Sequence, residues 1–105
     1  MRRGEIWLCD FGNPVGHEPA FIRPAAMISA DETGQHGLPM VVPFTSTQRG
    51  YVTHVEVETD SGSGSYAACE QLRAVSIDRL IHKIGDLDLI TMTRIEGILR
   101  RLLVL

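Results

Sequence analysis

Arg23 and Thr45 are the two side chains whose types and settings best suit chemistry on a phosphate. Arg23 stands between a loop rich in glycine and proline and an apolar run, in the order Ile22-Arg23-Pro24. A residue before proline is held extended, so its guanidinium is presented at the base of the loop. Thr45 and Ser46 follow the apolar run Met40 to Phe44. A hydroxyl at a strand end can hydrogen-bond a phosphate oxygen, and a guanidinium fork matches phosphate geometry. Each residue also has an ordinary structural use, an ion pair for Arg23 and a turn for Thr45. Four histidines add acid–base capacity: His17 in the loop before Arg23, His36 in a second loop, His54 on a polar strand face, and His82. Two histidines that met in space would suffice for acid–base cleavage of a phosphodiester. His17 is the one best placed to act, and His54 reads as an exposed or partner-bonded strand histidine.

Other chemistries lack their residue patterns. There is no glycine-rich phosphate loop at a strand-to-helix junction, no H-E-x-x-H and no G-x-S-x-G. Cys9 and Cys69 are far apart, form no C-x-x-C and lie in apolar runs, where a free cysteine acts as a small core residue. No metal site and no cofactor are expected. In Cys69-Glu70-Gln71-Leu72-Arg73 a buried Glu70 would need a partner, with Arg73 or Arg23 as candidates in a structural ion pair.

The chain has 105 residues and a net charge of −3. The length suits one domain spanning 1–105, small enough that pairing as a homodimer would bury surface a monomer cannot. The negative charge opposes strong non-specific binding of nucleic acid, although a local basic patch can act inside an acidic whole. Nine of the ten basic residues are arginine, which suits phosphate binding and equally reflects a coding bias. No apolar stretch follows Met1-Arg2-Arg3 as in a signal peptide, and none reaches the length of a membrane span. A cytoplasmic location is expected.

The elements that must position these groups are short. Glu5–Asp10, Pro24–Ala30, with Pro24 at the tolerated first position, and Met40–Phe44 read as strands. Pro43 marks a bulge or an edge. In Val52–Glu58, Val55 and Val57 alternate with His54, Glu56 and Glu58, the pattern of a half-solvated antiparallel strand. Asp31–Pro39 and Asp60–Ser65 read as loops, Tyr66–Cys69 and Leu72–Val75 as short strands, and Ser76 as the cap of a brief helical turn. Asp88 caps a helix to about Leu103, with Ile95, Ile98, Leu99, Leu102 and Leu103 at helical spacing and Arg100 and Arg101 in the last turn. Many short antiparallel strands before one helix predict a mainly β, α+β fold, a small closed barrel with a C-terminal helix.

Five segments in order resemble the MazF/PemK (Kid) family of toxins. They are R-R-G-E-I-W-L-C-D-F (Arg2–Phe11), V-G-H-E-P-A-F-I-R-P-A-A-M-I-S (Val15–Ser29), V-V-P-F-T-S (Val41–Ser46), T-H-V-E-V (Thr53–Val57) and C-E-Q-L-R-A-V-S (Cys69–Ser76). Together they span nearly the whole chain. The resemblance implies an SH3-like antiparallel barrel, MazF/CcdB-like, that works as a homodimer. It further implies the toxin of a type II toxin–antitoxin system, a metal-independent endoribonuclease cutting single-stranded RNA (mRNA, or tRNA or rRNA) at short sequences. A cognate antitoxin protein would inhibit it by threading a disordered segment along the toxin.

The family's catalytic arginine falls on Arg23, its catalytic threonine on Thr45, and a glutamine expected to touch RNA on Gln71, with Ser46 beside the threonine. Attack by the RNA 2′-hydroxyl would leave a 2′,3′-cyclic phosphate and a 5′-hydroxyl. The chain departs from the family pattern in one loop: His17 replaces a serine, Pro19 a glutamine, and Phe21-Ile22 a small or glycine-rich pair. Phe21 would stack on a base and His17 would add a hydrogen bond or a proton-transfer group. Two other readings stay open: a CcdB-like toxin that binds DNA gyrase and cuts nothing, and an RNA-binding module whose site His17 and Pro19 have inactivated.

Overall fold

The computed structural model describes residues 1–31, 37–47, 49–59 and 62–105. Among the described residues seven strands precede one long helix: β1 (Glu5–Asp10), β2 (Ile22–Met27), β3 (Met40–Thr45), β4 (His54–Thr59), β5 (Gly62–Ala68), β6 (Arg73–Ala74), β7 (Leu80–Asp86) and α1 (Leu89–Leu103). Single turns of 3-10 helix occupy Cys69–Gln71 and Ile77–Arg79. Every strand pair is antiparallel, and the hydrogen-bonded path runs β4-β5-β3-β2-β1-β7, with β6 beside β3.

The path does not close, since β4 and β7 stand at its two ends. The expected barrel is thus barrel-like and open. Helix α1 packs against β4 and the Cys69–Gln71 turn, so a helix rather than a closing ladder covers that side.

Apolar alternation builds two cores. One gathers Ile6, Ala26, Val42, Phe44, Val55, Val57, Ala67 and Cys69 against Ile95 and Leu99 of the helix. The other gathers Cys9, Phe11, Ala25, Met27, Val41 and Val75. β1 and β3 contribute to both cores because successive strand residues face opposite ways. β3 is buried on both faces from Val41 to Phe44, as its unbroken apolar run implied. Both cysteines are free and buried.

Two prolines shape the part of the sheet that matters for function. Proline has no N–H to donate to a ladder. The β2–β3 pairing ends at Ala25 opposite Pro43, while Phe44 and Thr45 pair instead with Ala67 and Tyr66 of β5. β3 therefore changes partner at Pro43, and β2 and β3 diverge beyond it. Pro24 is the third residue of β2, opposite Leu8, not the first residue of a strand that continues to Ala30. It lies before the first β2–β3 pair, so its missing N–H breaks no bond to β3.

Other boundaries also move. Gly62–Ser65 belongs to β5 rather than to a loop, while Asp60, Ser61, Gly34 and His36 lie outside the described residues. Strand β7 appears where no strand was read, and the expected Leu72–Val75 strand shrinks to Arg73–Ala74. Ser76 caps its turn by accepting from the Asp78 N–H, and Asp88 caps α1 by accepting from the Thr91 N–H at 2.6 Å.

Candidate active site

The wedge where β2 and β3 part is filled by Arg23. Its Nε donates to the Ala20 carbonyl (3.1 Å) and its Nη1 to the Phe44 carbonyl (3.4 Å). The first contact ties the guanidinium to the end of the β1–β2 loop. The second sets it beside Thr45, the next residue in β3. Among the described residues Arg23 makes no ion pair with a carboxylate, so its charge is not neutralised in place. Thr45 is partly exposed, and its Oγ1 accepts from the Thr47 N–H (3.2 Å). That turn bond uses a lone pair and leaves the hydroxyl proton free to donate.

Arg23 and Thr45 line one groove of about 620 Å³. Its loop wall carries Pro14, His17, Glu18 and Ala20, and its far wall carries Thr47, Arg49, Tyr51, His54, Glu70 and Gln71. The loop wall is braced internally and across the groove. Glu18 accepts from the Val15 N–H (2.8 Å), and Gln71 Nε2 donates to the His17 carbonyl (2.8 Å). Pro19 is buried, so the proline that replaces the family's glutamine anchors the loop.

The far wall holds an unforeseen network. Glu70 receives the Thr53 hydroxyl (2.8 Å) on one oxygen and His54 Nε2 (3.0 Å) on the other. Partial burial alone would raise the Glu70 pKa, but the bonds from His54 and Thr53 hold it below its ordinary value. The expectation that Arg73 or Arg23 would partner a buried Glu70 is therefore corrected. The glutamate is one-third exposed, its partners are His54 and Thr53, and Arg73 instead lies over the Phe11 ring at 5.8 Å. His54 is the partner-bonded histidine foreseen as one of two possibilities.

The groove thus gathers four of the residues singled out in the sequence, Arg23, Thr45, His17 and Gln71. Ser46 is exposed and does not line it. Phe21 does not line it either; it is 61% exposed, with φ at +54°. Its N–H bonds to the Gly12 carbonyl and its carbonyl to the Phe11 N–H, both at 2.7 Å, which locks this uncommon backbone shape at the loop base. Of the other histidines, His54 joins His17 in the groove, while His82 pairs with Leu8 in the β1–β7 ladder. Arg49, Tyr51 and Glu70 were not foreseen as site residues. The alternation around His54 and the expectation for Gln71 were the hints at that wall.

The charge balance of the groove differs from that of the chain. Glu18 and Glu70 are satisfied by internal bonds, whereas Arg23 and Arg49 form no ion pair among the described residues. The arrangement offers two cations and a hydroxyl to a bound anion, beside two carboxylates that keep their charge but are held by internal hydrogen bonds. Among the described residues no three His, Cys, Asp or Glu side chains gather to hold a metal, and no helix is long and apolar enough to cross a membrane.

Known proteins place this geometry in a family. Residues 2–103 match the family of PemK-like, MazF-like toxins of type II toxin–antitoxin systems. The endoribonuclease MazF9 of Mycobacterium tuberculosis is 28% identical, over 95% of this chain and 93% of its own. The endoribonuclease MazF of Staphylococcus saprophyticus is 34% identical, over 84% and 78%. Among solved structures, MazF of Deinococcus radiodurans superposes with a TM-score of 0.89 at 23% identity, over 100% of this chain and 97% of its own. A MazE–MazF structure from the same organism gives 0.83 at 23% identity, over 100% and 96%. With the family match running almost end to end and the fold shared throughout, the chain belongs to the PemK-like, MazF-like toxins of type II toxin–antitoxin systems.

Proposed function

We propose that the groove binds single-stranded RNA and that Arg23 and Thr45 cut it, making the chain the endoribonuclease toxin of its system. The observation that carries this reading is that Arg23, with no ion pair among the described residues, and Thr45 line one groove. RNA supplies its own nucleophile. The 2′-hydroxyl attacks the adjacent phosphorus, the P–O5′ bond breaks, and the products are a 2′,3′-cyclic phosphate and a 5′-hydroxyl. An internal nucleophile is already positioned by the substrate, so the reaction runs without a metal. Arg23 stabilises the charge that grows on the phosphate oxygens, and Thr45 donates its hydroxyl to one of them. His17, which lines the same groove, takes the 2′-hydroxyl proton, and Arg23 helps to protonate the departing 5′-oxygen.

Gln71 contacts the strand from the far wall, and Ser46 and Phe21 meet it beyond the groove, Phe21 by stacking. The MazE–MazF structure named above supports one further partner, a cognate antitoxin protein that silences the toxin. Pairing with a second copy is what the family resemblance implies. An apolar cavity of about 330 Å³ that includes Ile28, Met40, Leu72, Leu99 and Leu103 supports the pairing. The site of action is the cytoplasm.

Incubating the protein with a mixed pool of single-stranded RNA in excess EDTA, and sequencing the new ends, tests this reading. Cleavage at a short motif, leaving cyclic phosphates, is expected. A strict magnesium requirement, or capture of DNA gyrase with intact RNA, would replace it.

A further inference from the structure

The least economical feature of the groove is His54. Its side chain is 5% exposed, and its Nδ1 is buried with no hydrogen-bond partner among the described residues. Burying an unpaired ring nitrogen is unfavourable, and an apolar residue would fill the same space without that penalty. The ring is held for its other nitrogen. A carboxylate only accepts hydrogen bonds, so Nε2 bears the proton and donates to Glu70. Tyr51, edge-on to the ring at 5.1 Å between centroids, closes the other side.

Glu70 sits in the middle of the Cys69–Gln71 turn. Three bonds tie that turn to the start of β4: the Cys69 N–H to the Thr53 carbonyl (3.2 Å), the Thr53 hydroxyl to Glu70, and His54 to Glu70. The next residue, Gln71, reaches across to the His17 carbonyl. These hydrogen bonds, linked through the backbone from Glu70 to Gln71, join the start of β4, the turn and the loop wall of the groove.

We propose that His54, through Glu70, is a positioning residue that sets the separation of the two groove walls and hence the grip on the RNA strand, without touching the reacting phosphate. The proposal rests on the nuclease reading above and adds residues that reading does not use. Removal of the His54–Glu70 bond frees the turn, Gln71 loses its aim, and the Gly12–Ala20 loop drifts from Arg23. The loss falls on binding more than on the chemical step.

Two near-isosteres separate this role from a direct contact with RNA. Glutamine places an amide N–H near the position of Nε2 and can still reach Glu70, whereas asparagine reaches only to the position of Nδ1. His54→Asn is expected to raise KM on the order of tenfold, the effect of losing one charge-assisted hydrogen bond, with kcat within a few-fold. His54→Gln is expected to recover most of that loss. Amide hydrogen exchange, measured without RNA, should show the Val15–Glu18 amides of His54→Asn less protected than those of wild type.

Equal impairment of the two variants, a fall in kcat with KM unchanged, or unaltered exchange in the loop would each overturn the proposal. If His54→Asn fails to fold, Glu70→Ala removes the same His54–Glu70 bond from its other end, and unchanged loop exchange there would overturn it equally. A wild-type protein that leaves RNA intact would defeat the nuclease reading, while the exchange experiment would still judge the clamp.

Discussion

Replacing Arg23 with alanine should separate activity from stability. The guanidinium makes two hydrogen bonds, to the carbonyl of Ala20, which lines an open groove, and at a longer 3.4 Å to the carbonyl of Phe44, next in chain to the groove-lining Thr45. Water can replace the lost donors there, so the stability cost should stay at about 1 kcal/mol, a fall in Tm of roughly 4–8 °C for a domain of this size. The catalytic cost is larger. A donor aimed at developing charge is worth about 3 kcal/mol, and each 1.4 kcal/mol or so is a factor of ten, so kcat should fall on the order of a hundredfold. Arg23→Lys should recover only part of this, because a single ammonium cannot hold both carbonyls and also present a fork to phosphate. The assay is single-turnover cleavage of a labelled RNA in EDTA, with Tm measured on the same samples. Cleavage by Arg23→Ala within about threefold of wild type would refute the reasoning, as would a loss of activity explained by unfolding.

Three further predictions concern the scaffold. Ile95→Ala should destabilise the protein by about 2–5 kcal/mol, read by urea unfolding, because Ile95 is 0% exposed and joins the helix to the sheet; a cost below about 1 kcal/mol would show that the helix is not needed there. Burial pushes the Cys9 thiol up to about 11 and the Cys69 thiol up to about 12, so neither should be alkylated by iodoacetamide in the native state at pH 8, with mass spectrometry as the readout.

Glu5 carries the pH prediction. Burial would raise its pKa, but the Arg2 N–H, the Trp7 indole and the Lys83 ammonium outweigh that and bring it from the ordinary 4.5 to about 2. A depressed carboxylate stabilises the fold above its unfolded pKa and loses that contribution as pH falls through the folded one. Wild-type Tm should therefore drop between pH 4.5 and 2 more steeply than that of Glu5→Gln, and parallel curves would contradict the assignment.

What was legible in the sequence was what local chemistry decides. The Asp88 cap and the spacing of Ile95 and Leu99 defined the helix, since capping and period both act within a few residues. The unbroken Val41–Phe44 run announced burial on both faces, and Arg23-Pro24 placed a guanidinium at a loop base. Pairings that depend on distant partners were not legible. Leu80–Asp86 lacks clean alternation, and its ladder with β1 slips register between Ile6 and Trp7 and again between Leu8 and Cys9, so its strand character comes from β1. The glycine and serine half of β5 is extended because β4 pairs with it. Glu70 finds His54 across 16 residues of sequence, a choice made by the β4-to-turn geometry rather than by nearby charges.

The central claim is that Arg23 and Thr45 act on the same phosphodiester. A double-mutant cycle on single-turnover cleavage, with Arg23→Ala, Thr45→Val and the pair, tests it most directly. Groups that act as a unit are strongly non-additive, so the double variant should be little slower than the worse single one. A double variant slowed by the full product of the two single effects would show that the guanidinium and the hydroxyl work independently, and would contradict the account.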